Sequence, residues 1–492
     1  MQDDSLAKQS ENLSVDVMIT TYNEAVPLVE ESVISAKKLT YKYAVNINIY
    51  ILDDGKRARM ERMCSRQNVS YITRNNNKGY KAGNICNALK QTSGDFIIIC
   101  DADTRLSPQY LNKTLGYFKN PKMSWVQTPQ WFYDIPKGQN IVDRWTNKYG
   151  NFGKYSAKII EKCFGKIQLS RDPFCNEGGI FYDVILRRRN RANASFCCGA
   201  ASIHRRNSVM ENALRRFIND LKTNQDAEMQ PYKYHVSEDI YTSLEQHQSK
   251  QKWQSAYHPE ILSKMLSPQD IKTFLMQRYK YAAGSMDINI HDNPLAKKGL
   301  NFSQKLMYAA TFWSYLGCAW LCIFLISPIL YFFTSITPVI GYTADFFKHL
   351  IPFLILTEVS FMFATWGQST FKSKASYISL FTLNLKALYD VIRRKEIKFK
   401  VTPKFRIGKG SVLPYIWIHL LLIGLTIIGA VFAFCSYFIY GNLDYAPNGL
   451  IVNSFWAIYN LYVLLQFVLA SLWTPQKWGH PVTDIDLSLI HI

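Results

Sequence analysis

The chain has 492 residues, and 57 lysines and arginines against 37 aspartates and glutamates give it a formal net charge of +20 at pH 7. Its length excludes a single ordinary domain, and its charge indicates an anionic partner, which could be nucleic acid, phospholipid or a phosphorylated substrate. The ten scattered cysteines have neither metal-site spacing nor a disulfide pattern. They favour a reducing compartment, and the polar first 16 residues predict no signal segment.

Strand and helix patterns alternate through residues 1–300. The predicted strands are 15–20, 46–54 and 95–103, and the predicted helices are 27–39 and 82–92. This order indicates an open, mostly parallel sheet with helices on both faces, in which ligands bind at the carboxyl ends of the strands.

Three of the predicted strands end in polar residues, with the sequences "TTYNE" (20–24), "DDG" (53–55) and "DAD" (101–103). If these ends meet at one edge of the sheet, their carboxylates repel one another unless a cation joins them. Asp101 and Asp103 are therefore predicted ligands of a Mg²⁺ or Mn²⁺ that also binds a diphosphate. A solvated turn or a helix cap is the alternative for an isolated Asp-x-Asp.

The second half of the chain predicts membrane spans. Residues 307–333 contain no charge over 27 positions, more than the roughly 20 apolar residues that cross a bilayer as a helix. Three further spans are predicted at 346–366, 413–440 and 450–473. The second of the four carries charged residues, so a re-entrant or interfacial helix is its alternative.

The loops predict the orientation of these spans. The segment 368–412 holds eleven lysines and arginines against two acids, whereas 441–449 holds no basic residue. Positively charged loops stay cytoplasmic, so 368–412 and residues 1–300 are both predicted to be cytosolic. The basic run 186–194, "LRRRNRANA", is expected either to lie against anionic headgroups or to be a solvated loop.

Eight short motifs occur in one order along the chain. They are "TTYNE" (20–24), "DDG" (53–55), "KAGN" (81–84), "DAD" (101–103), "FCCGAASIHRR" (196–206), "SED" (237–239), "QRYKY" (277–281) and "FKVTPK" (399–404). With these motifs the chain resembles the processive family 2 glycosyltransferases of the cellulose synthase type, over about residues 15 to 480. The last motif resembles the gating loop of bacterial cellulose synthases and falls in the predicted cytosolic loop.

The resemblance implies an α/β nucleotide-sugar-binding domain of the glycosyltransferase A type, with a mostly parallel sheet, followed by an α-helical transmembrane domain. The expected boundaries are 1–300 for the cytosolic domain with interfacial helices near its end, 301–480 for the transmembrane domain with the gating-loop segment 368–412, and 481–492 for a tail. The expected location is the plasma (inner) membrane. Family members usually carry spans before the catalytic domain, so either the sequence is truncated or its channel is built differently. No carboxy-terminal domain that binds a cyclic dinucleotide is expected.

The implied activity is processive, inverting transfer of a hexose from a nucleotide-diphosphate sugar to a growing polysaccharide. UDP-glucose is the expected donor and a β-linked glucan, translocated across the membrane, is the expected product. Chitin-like, hyaluronan-like and mixed-linkage products stay open, as does a nonprocessive enzyme that acts on a lipid or glycan. The expected partners are the UDP-sugar, the polysaccharide and membrane lipid, with a homo-oligomer or an additional membrane subunit as an option and no nucleic acid.

By resemblance, Asp239 of "SED" is the catalytic base that accepts the proton of the attacking hydroxyl, and Asp101 and Asp103 hold the metal. The same stretch fits the start of a helix with Ser237 as its N-cap. The residues expected to bind the nucleotide sugar are Thr21, Tyr22, Glu24, Asp53, Lys81, Gln277, Arg278 and Lys280.

The motif "QRYKY" departs from the family pattern of Gln, two variable residues, Arg and Trp. Lys280 keeps the positive charge without the planar fork of arginine, and Tyr281 keeps a smaller aromatic platform under the acceptor sugar. A plain amphipathic helix is the alternative for this segment. Cys198 and Trp131 are expected to line the acceptor path, although ordinary packing explains both as well.

The gating-loop residues complete the predicted site. They are Phe399, Val401, Thr402 and Lys404. Thr402 and Lys404 are expected to touch the nucleotide when the loop closes as a lid that excludes water.

Overall fold

The structure is a computed structural model, and it describes residues 13–135, 138–169, 172, 174, 178–337, 344–368, 371–397, 404 and 411–473. Its strands, in chain order, are β1 (Ser14–Thr21), β2 (Asn46–Asp53), β3 (Ser70–Ile72), β4 (Phe96–Asp101), β5 (Arg105–Leu106), β6 (Met123–Gln127), β7 (Gln130–Phe132), β8 (Gln139–Asn140), β9 (Gln168–Leu169), β10 (Ser202–Arg205), β11 (Gln254–Tyr257) and β12 (Ser263–Met265). The α-helices before residue 300 are Val26–Lys37, Ala58–Arg66, Tyr80–Leu89, Tyr110–Thr114, Ile141–Phe164, Arg187–Arg191, Arg206–Asp220, Glu238–Gln248 and Ile271–His291. Those after residue 300 are Phe302–Leu316, Cys318–Thr334, Ala344–Ala364, Phe371–Ser379, Phe381–Ile392, Leu413–Phe438 and Pro447–Ser471.

The central sheet has seven strands in the order β11-β6-β10-β4-β1-β2-β3. Every neighbouring pair is parallel except the two pairs that involve β10. A second sheet has three strands in the order β5-β12-β7. This architecture confirms the predicted α/β domain with a mostly parallel sheet.

Both faces of the central sheet are covered, as the apolar sequence of β1 requires. Val17 and Ile19 pack into one core with the helix Val26–Lys37, and Met18 packs into another with the helix Tyr80–Leu89. Successive side chains of a strand point to opposite faces, so one strand supplies both cores. Each of these side chains is at most 1% exposed, and burial of one such side chain contributes about 1.5–3 kcal/mol.

The reversed strand β10 was not predicted. Its sequence "SIHR" contains one strongly apolar residue, which is too little periodicity to indicate a strand. Because β10 runs against its neighbours, its first residue, Ser202, pairs with Ile99 near the end of β4 and with Gln127 at the end of β6. The preceding segment 196–201 therefore lies at the edge of the sheet where the parallel strands end.

Residues 139–169 form a helical hairpin. The helix Ile141–Phe164 is broken at Gly150, which has φ 60° and ψ −143°. A straight helix of 24 residues would span about 36 Å, whereas Asn140 Nδ2, just before the helix, donates to Glu161 Oε1 at 2.8 Å. The two arms therefore fold back on each other, and glycine permits the positive φ at the bend.

Four helical segments are long and apolar enough to cross a membrane. They are Phe302–Thr334, Asp345–Ala364, Leu413–Phe438 and Pro447–Ser471. Each corresponds to one predicted span, so the protein is a membrane protein in which an α-helical transmembrane domain follows the α/β domain. In the most apolar 18-residue stretch of the second segment no residue is buried, whereas 44% of the corresponding stretch of the fourth segment is buried. The second span therefore makes little helix packing among the described residues.

The helix Ile271–His291 joins the two halves of the molecule. Ala282 and Ala283 pack against Ala387 of the helix Phe381–Ile392, which lies in the segment 368–412. The "QRYKY" motif is therefore carried on a helix that contacts both the α/β domain and the membrane half.

Candidate active site

The carboxyl ends of β4, β1 and β2 lie side by side. In the parallel register Thr20 is opposite Asp101, and Thr21 is opposite Asp53. Neighbouring strands are about 4.8 Å apart. The three polar strand ends therefore form one edge, and the rest of the candidate site is built on it.

Asp101 forms an ion pair with Lys81, which lies in the first turn of the helix Tyr80–Leu89. Lys81 Nζ is 2.5 Å from Asp101 Oδ1, and the lysine side chain is 13% exposed. Burial raises the pKa of Asp101, but the charges of Lys81, Lys404 and Lys280 outweigh burial and hold the pKa below its usual range. Burial lowers the pKa of Lys81, and the surrounding acids more than reverse this effect. Both groups are therefore held in their charged forms.

Asp103 is fully buried and has one oxygen in use. Its Oδ2 accepts from Leu266 N at 2.9 Å and from Lys404 Nζ at 2.9 Å. Its Oδ1 is buried and has no hydrogen-bond partner among the described residues. An unsatisfied buried carboxylate oxygen is costly, and a divalent cation, which prefers oxygen ligands, would satisfy it. Asp103 therefore fits the predicted role of a metal ligand.

The candidate metal site has two carboxylates. Among the described residues, no group of three or more His, Cys, Asp or Glu side chains is placed to hold a metal ion. Mg²⁺ typically binds through one or two carboxylates together with substrate phosphates. Asp101 and Asp103 are consequently expected to bind a cation tightly only together with a diphosphate.

Asp239 lies in the first turn of the helix Glu238–Gln248. Burial raises the pKa of Asp239 although Lys81 acts against the shift, and burial together with the Asp239 charge raises the pKa of Glu238. The predicted cap is wrong in one respect, because Ser237 holds the N-cap position but its side chain makes no capping hydrogen bond. It packs instead against Gly284, where a Cβ would lie 2.1 Å from Ser237 Oγ.

Gly199 marks the place where the base and the metal-side residues face each other. A Cβ on this glycine would lie 3.5 Å from Asp239 Oδ2 and 3.6 Å from Lys81 Nζ. Its φ of 85° also favours glycine. The segment before β10 thus brings Gly199 next to both Asp239 and Lys81, so these two groups lie close together.

The "QRYKY" residues lie on the helix Ile271–His291, as a helix was expected there. Burial and the charges of Lys404 and Lys81 lower the pKa of Lys280 to about 8, although Asp101 acts in the opposite direction. Lys280, Lys81 and Lys404 thus form a cluster of lysines around Asp101. Three further residues of the predicted site lie on the same helix. Gln277 Oε1 is buried and has no hydrogen-bond partner among the described residues. The Arg278 guanidinium lies 6.0 Å from the centroid of the Tyr281 ring, and Tyr281 is 44% exposed.

Asp53 is 0% exposed, and both of its carboxylate oxygens accept hydrogen bonds from the protein. Its oxygens accept from Gly55 N at 3.0 Å, Arg57 N at 2.9 Å and Tyr71 Oη at 3.0 Å, and it forms an ion pair with the Arg57 guanidinium. The structure therefore places Asp53 beneath the edge of the sheet, and its contact with a nucleotide stays a prediction.

Arg57 links the other residues predicted to bind the nucleotide, and it was missed in the sequence. Its Nη2 donates to Thr21 Oγ1 at 2.8 Å, and Glu24 Oε2 accepts from Thr21 Oγ1 and from Tyr22 N, both at 2.8 Å. The position of Arg57, four residues after Asp53, was the available indication. Tyr22 is 42% exposed and offers a ring at the surface of this pocket.

The residues predicted for the acceptor path lie on two neighbouring segments. Cys198 N donates to Gln127 Oε1 at 2.8 Å, and Gln130 Nε2 donates to Cys198 O at 2.8 Å. Trp131 is half-buried on β7, next in sequence to Gln130. The two glutamines, which the sequence did not single out, hold the loop before β10 in place.

Of the gating-loop residues, Lys404 is described and forms the contact with Asp103 given above. Phe399, Val401 and Thr402 lie outside the described residues. Burial lowers the pKa of Lys404, and Asp103 and Asp101 reverse this effect and raise it.

Two family models match the chain. "Glycosyl transferase family 2" matches residues 16–212, and "Glycosyl transferase family group 2" matches residues 179–363. The first match contains the edge formed by β4, β1 and β2, and the second contains Asp239, the "QRYKY" helix and the first two spans.

Curated relatives extend this likeness into the membrane half. The chain is 26% identical to a cellulose synthase catalytic subunit [UDP-forming] of Pseudomonas fluorescens, over 92% of this chain and 55% of that protein. It is 26% identical to cellulose synthase 1 of Komagataeibacter xylinus, over 94% of this chain and 27% of that protein. It thus spans between about a quarter and a half of the length of these relatives.

Among solved structures, a mannosyltransferase from Pyrobaculum calidifontis, in complex with GDP-Man and Mn²⁺, matches with a TM-score of 0.48 and 12% identity, over 78% of this chain and 88% of that one. Residues 16–363 belong to glycosyl transferase family 2, and the chain is similar to cellulose synthases over most of its length.

Proposed function

We propose that the protein is a processive, inverting hexosyltransferase that builds a β-linked glucan from UDP-glucose and passes it across the membrane. Membership of the family supports sugar transfer, and the name of the Pseudomonas relative, which states that UDP is formed, supports a UDP-sugar donor. The four candidate spans support release of the product across a bilayer.

The observation that carries the proposal is the meeting of Asp239 with the Lys81–Asp101 pair across Gly199. An inverting displacement needs a base on the acceptor side and positive charge on the leaving side, with the reacting carbon between them. Asp239 provides the base, and burial raises its pKa toward neutrality, where a base is most effective. The acceptor hydroxyl would approach Asp239 beside Gly199, whose lack of a side chain leaves room next to the base.

The leaving side is built from lysines and carboxylates in near balance. Asp101 and Asp103 would hold a Mg²⁺ or Mn²⁺, which would supply positive charge beside the departing diphosphate. When those carboxylates bind a cation, Lys81, Lys280 and Lys404 can bind the diphosphate oxygens. Electrostatic contacts of this kind are stronger in a closed site than in water because the effective dielectric is lower.

The remaining predicted residues take roles around this centre. Thr21, Tyr22 and Glu24 would line the nucleoside pocket, and Asp53 would act through Arg57, which it holds against Thr21. Tyr281, Trp131 and Cys198 would line the acceptor path. All of these side chains come from residues 1–300, and Lys404 is the contribution of the membrane half.

Lys404 would act as part of a lid. Its contact with Asp103 supports a position of Lys404 beside the metal-side carboxylates. A lid in this position would shield the donor from hydrolysis during transfer. The positive charge of this segment supports a cytosolic location for the lid and the active site.

The test is incubation of the purified full chain, in liposomes, with a panel of radiolabelled UDP-sugars and Mg²⁺ or Mn²⁺, followed by digestion with linkage-specific hydrolases. A ladder of long polymer from UDP-glucose is expected, and single-sugar adducts would contradict processivity. Asp239→Asn should lower UDP release about 10²- to 10⁴-fold. Asp226→Asn, at an exposed acid of the same domain, is the matched control and should leave the rate unchanged.

A further inference from the structure

The second arm of the helical hairpin exposes a row of apolar side chains. Phe152, Tyr155 and Ile159 are 80%, 67% and 65% exposed, and Cys163 is exposed as well. Their spacing of three and four residues places them on one face of the helix. The opposite face packs inward through Ala157 and Ile160, so the hairpin has its own small core and its exposed rings have no protein partner among the described residues.

Basic side chains border this apolar row. The exposed basic residues of the hairpin are Arg144, Lys148, Lys154, Lys158, Lys162 and Lys166. Two acids, Asp143 and Glu161, accompany them in residues 139–169. Along the second arm, Lys154, Lys158 and Lys162 follow a helical spacing of four, so they form a stripe beside the apolar row. An apolar row with a lysine stripe is typical of helices that lie in the headgroup region of a bilayer.

The base of the hairpin is tied to the end of the second candidate span, Asp345–Ala364. Gly367 N donates to Phe164 O at 2.7 Å, and the rings of Phe164 and Phe363 lie 5.1 Å apart. A 20-residue helix is about 30 Å long, which matches the hydrocarbon thickness. The end of this span therefore marks a membrane boundary, and the hairpin starts at that level.

Other residues at the same place fit a membrane boundary. Trp366 is 55% exposed and packs against the hairpin at Gly165, and tryptophan is enriched at the interface. Arg188, within the basic run 186–194, donates to Ala364 O at 2.5 Å. Two separate segments thus bring positive charge to the end of one span.

We propose that the helical hairpin, residues 139–169, docks on the anionic surface of the bilayer, with Phe152, Tyr155 and Ile159 inserted among the headgroups. This role does not depend on the sugar-transfer reaction. The occupant is lipid because the patch continues from a membrane span and is bordered by lysines rather than by groups of both signs. Each lysine near an anionic surface adds electrostatic attraction, and the rings add apolar burial.

The test measures immersion of residue 152 in the full chain. A spin label is attached to Phe152→Cys in a Cys163→Ser background, and the protein is placed in nanodiscs of phosphatidylcholine with or without one third phosphatidylglycerol. Collision with oxygen and with a water-soluble nickel chelate is then measured. Because Phe152 is 80% exposed, the substitution should not disturb folding. The Cys163→Ser chain alone gives the labelling background of the other cysteines.

Ser93→Cys is the matched control position. Ser93 is exposed in the turn before β4, at the edge of the sheet opposite to Asp101. In the discs with phosphatidylglycerol, the label at 152 should meet oxygen readily and the nickel chelate about fivefold less than the label at 93. Equal access of the chelate at both positions would overturn the proposal.

Two further outcomes decide the matter. Low access of both oxygen and chelate at 152 would mean that protein covers the patch, either a terminus of this chain or a second copy, and would overturn docking on lipid. The triple change Lys154→Gln, Lys158→Gln, Lys162→Gln should reduce the immersion in anionic discs to the level in phosphatidylcholine alone. Unchanged immersion would overturn the requirement for anionic lipid.

Discussion

The active site and the helical hairpin depart from ordinary burial in opposite ways. The site buries charge, since Asp103 is 0% exposed and the Lys81 side chain 13%, whereas the hairpin exposes large apolar side chains, with Phe152 at 80%. Buried charge is costly unless it is paired. Exposed aromatic rows are uncommon unless they bind something.

The two regions differ in what offsets these costs, the buried charge in the site and the exposed apolar surface in the hairpin. In the site, Asp101 pairs with Lys81 and Asp103 with Lys404, and these two lysines come from distant segments of the same chain. In the hairpin, the described residues offer no compensating surface, so we infer that it lies outside the protein. The ion pairs of the site can be tested by substitutions within the chain. The partner of the hairpin, which lies outside the protein, can be tested by changing the lipid.

The largest effect is expected from removal of charge at the metal-side carboxylate. Asp103→Asn should lower turnover at least about 100-fold, because it removes a carboxylate that balances Lys404 and fits a metal ligand. It should also destabilise the fold, since the lysine then lacks its partner. The measurements are the rate of UDP release and the thermal midpoint in detergent.

A double-mutant cycle sharpens the same point. Lys404→Met combined with Asp103→Asn should recover about 1–3 kcal/mol of the lost stability relative to the sum of the single changes. Additive effects would show that the 2.9 Å contact between the two groups does not matter in solution.

The next effect concerns the pH dependence of catalysis. Burial raises the pKa of Asp239, so the acid limb of the pH–rate profile should lie well above the ordinary carboxyl value of about 4. Lys81→Met removes a charge that lowers this pKa and should move the acid limb upward by about one pH unit. Lys78→Met, at an exposed lysine paired with Glu228, is the control and should leave the profile in place.

A smaller effect is expected from Asp239→Asn on stability. This change should raise the stability of the fold although it lowers the activity. The folded-state pKa of Asp239 lies above its unfolded value, so the group contributes stability at low pH that is lost as the pH rises through the folded pKa. Asp239→Asn should therefore raise stability at pH 8 by about 1–2 kcal/mol while it lowers turnover. Thermal unfolding at pH 5 and pH 8 should show the larger gain at pH 8, because the loss of stability begins above the unfolded pKa and is complete only above the folded pKa.

The smallest effect on turnover is expected from the hairpin. The triple change Phe152→Ser, Tyr155→Ser, Ile159→Ser should leave the rate in detergent within about twofold of the unchanged chain, because surface substitutions are usually mild. In anionic nanodiscs the rate should fall a few-fold, since the hairpin no longer holds its end of the second span at the interface. An equal loss in detergent and in discs would place these rings inside the enzyme's own packing.

Apolar runs predicted much of the α/β fold. β1, β2 and β4 are long, β-branched and bounded by turn residues, so their ends and the meeting of their polar residues followed from the sequence. The strand β10 could not be predicted in this way, because four residues with one apolar side chain show no alternation of apolar and polar residues. The parallel order that was expected therefore missed the strand that places Gly199 opposite Asp239.

The sequence predicted the short motifs that form the site, but it did not predict the contacts between those motifs. Nothing in the local sequence pairs Lys404 with Asp103, which lie 301 residues apart. Arg57 escaped notice because its role depends on a turn that folds its side chain back onto Asp53 and Thr21. The hairpin was not predicted, because nothing in the local sequence shows that the helix folds back on itself at Gly150.

The contact between Lys404 and Asp103 also bears on how the enzyme is made. Two candidate spans, Phe302–Thr334 and Asp345–Ala364, separate these residues in the chain, so the ribosome finishes both spans before it adds Lys404. A nascent chain that has released only its α/β domain therefore lacks one of the lysines at the donor end. Under the proposed function, donor sugar would therefore meet the complete site only after both spans have been made, which would prevent polymer from being started before the chain reaches the membrane.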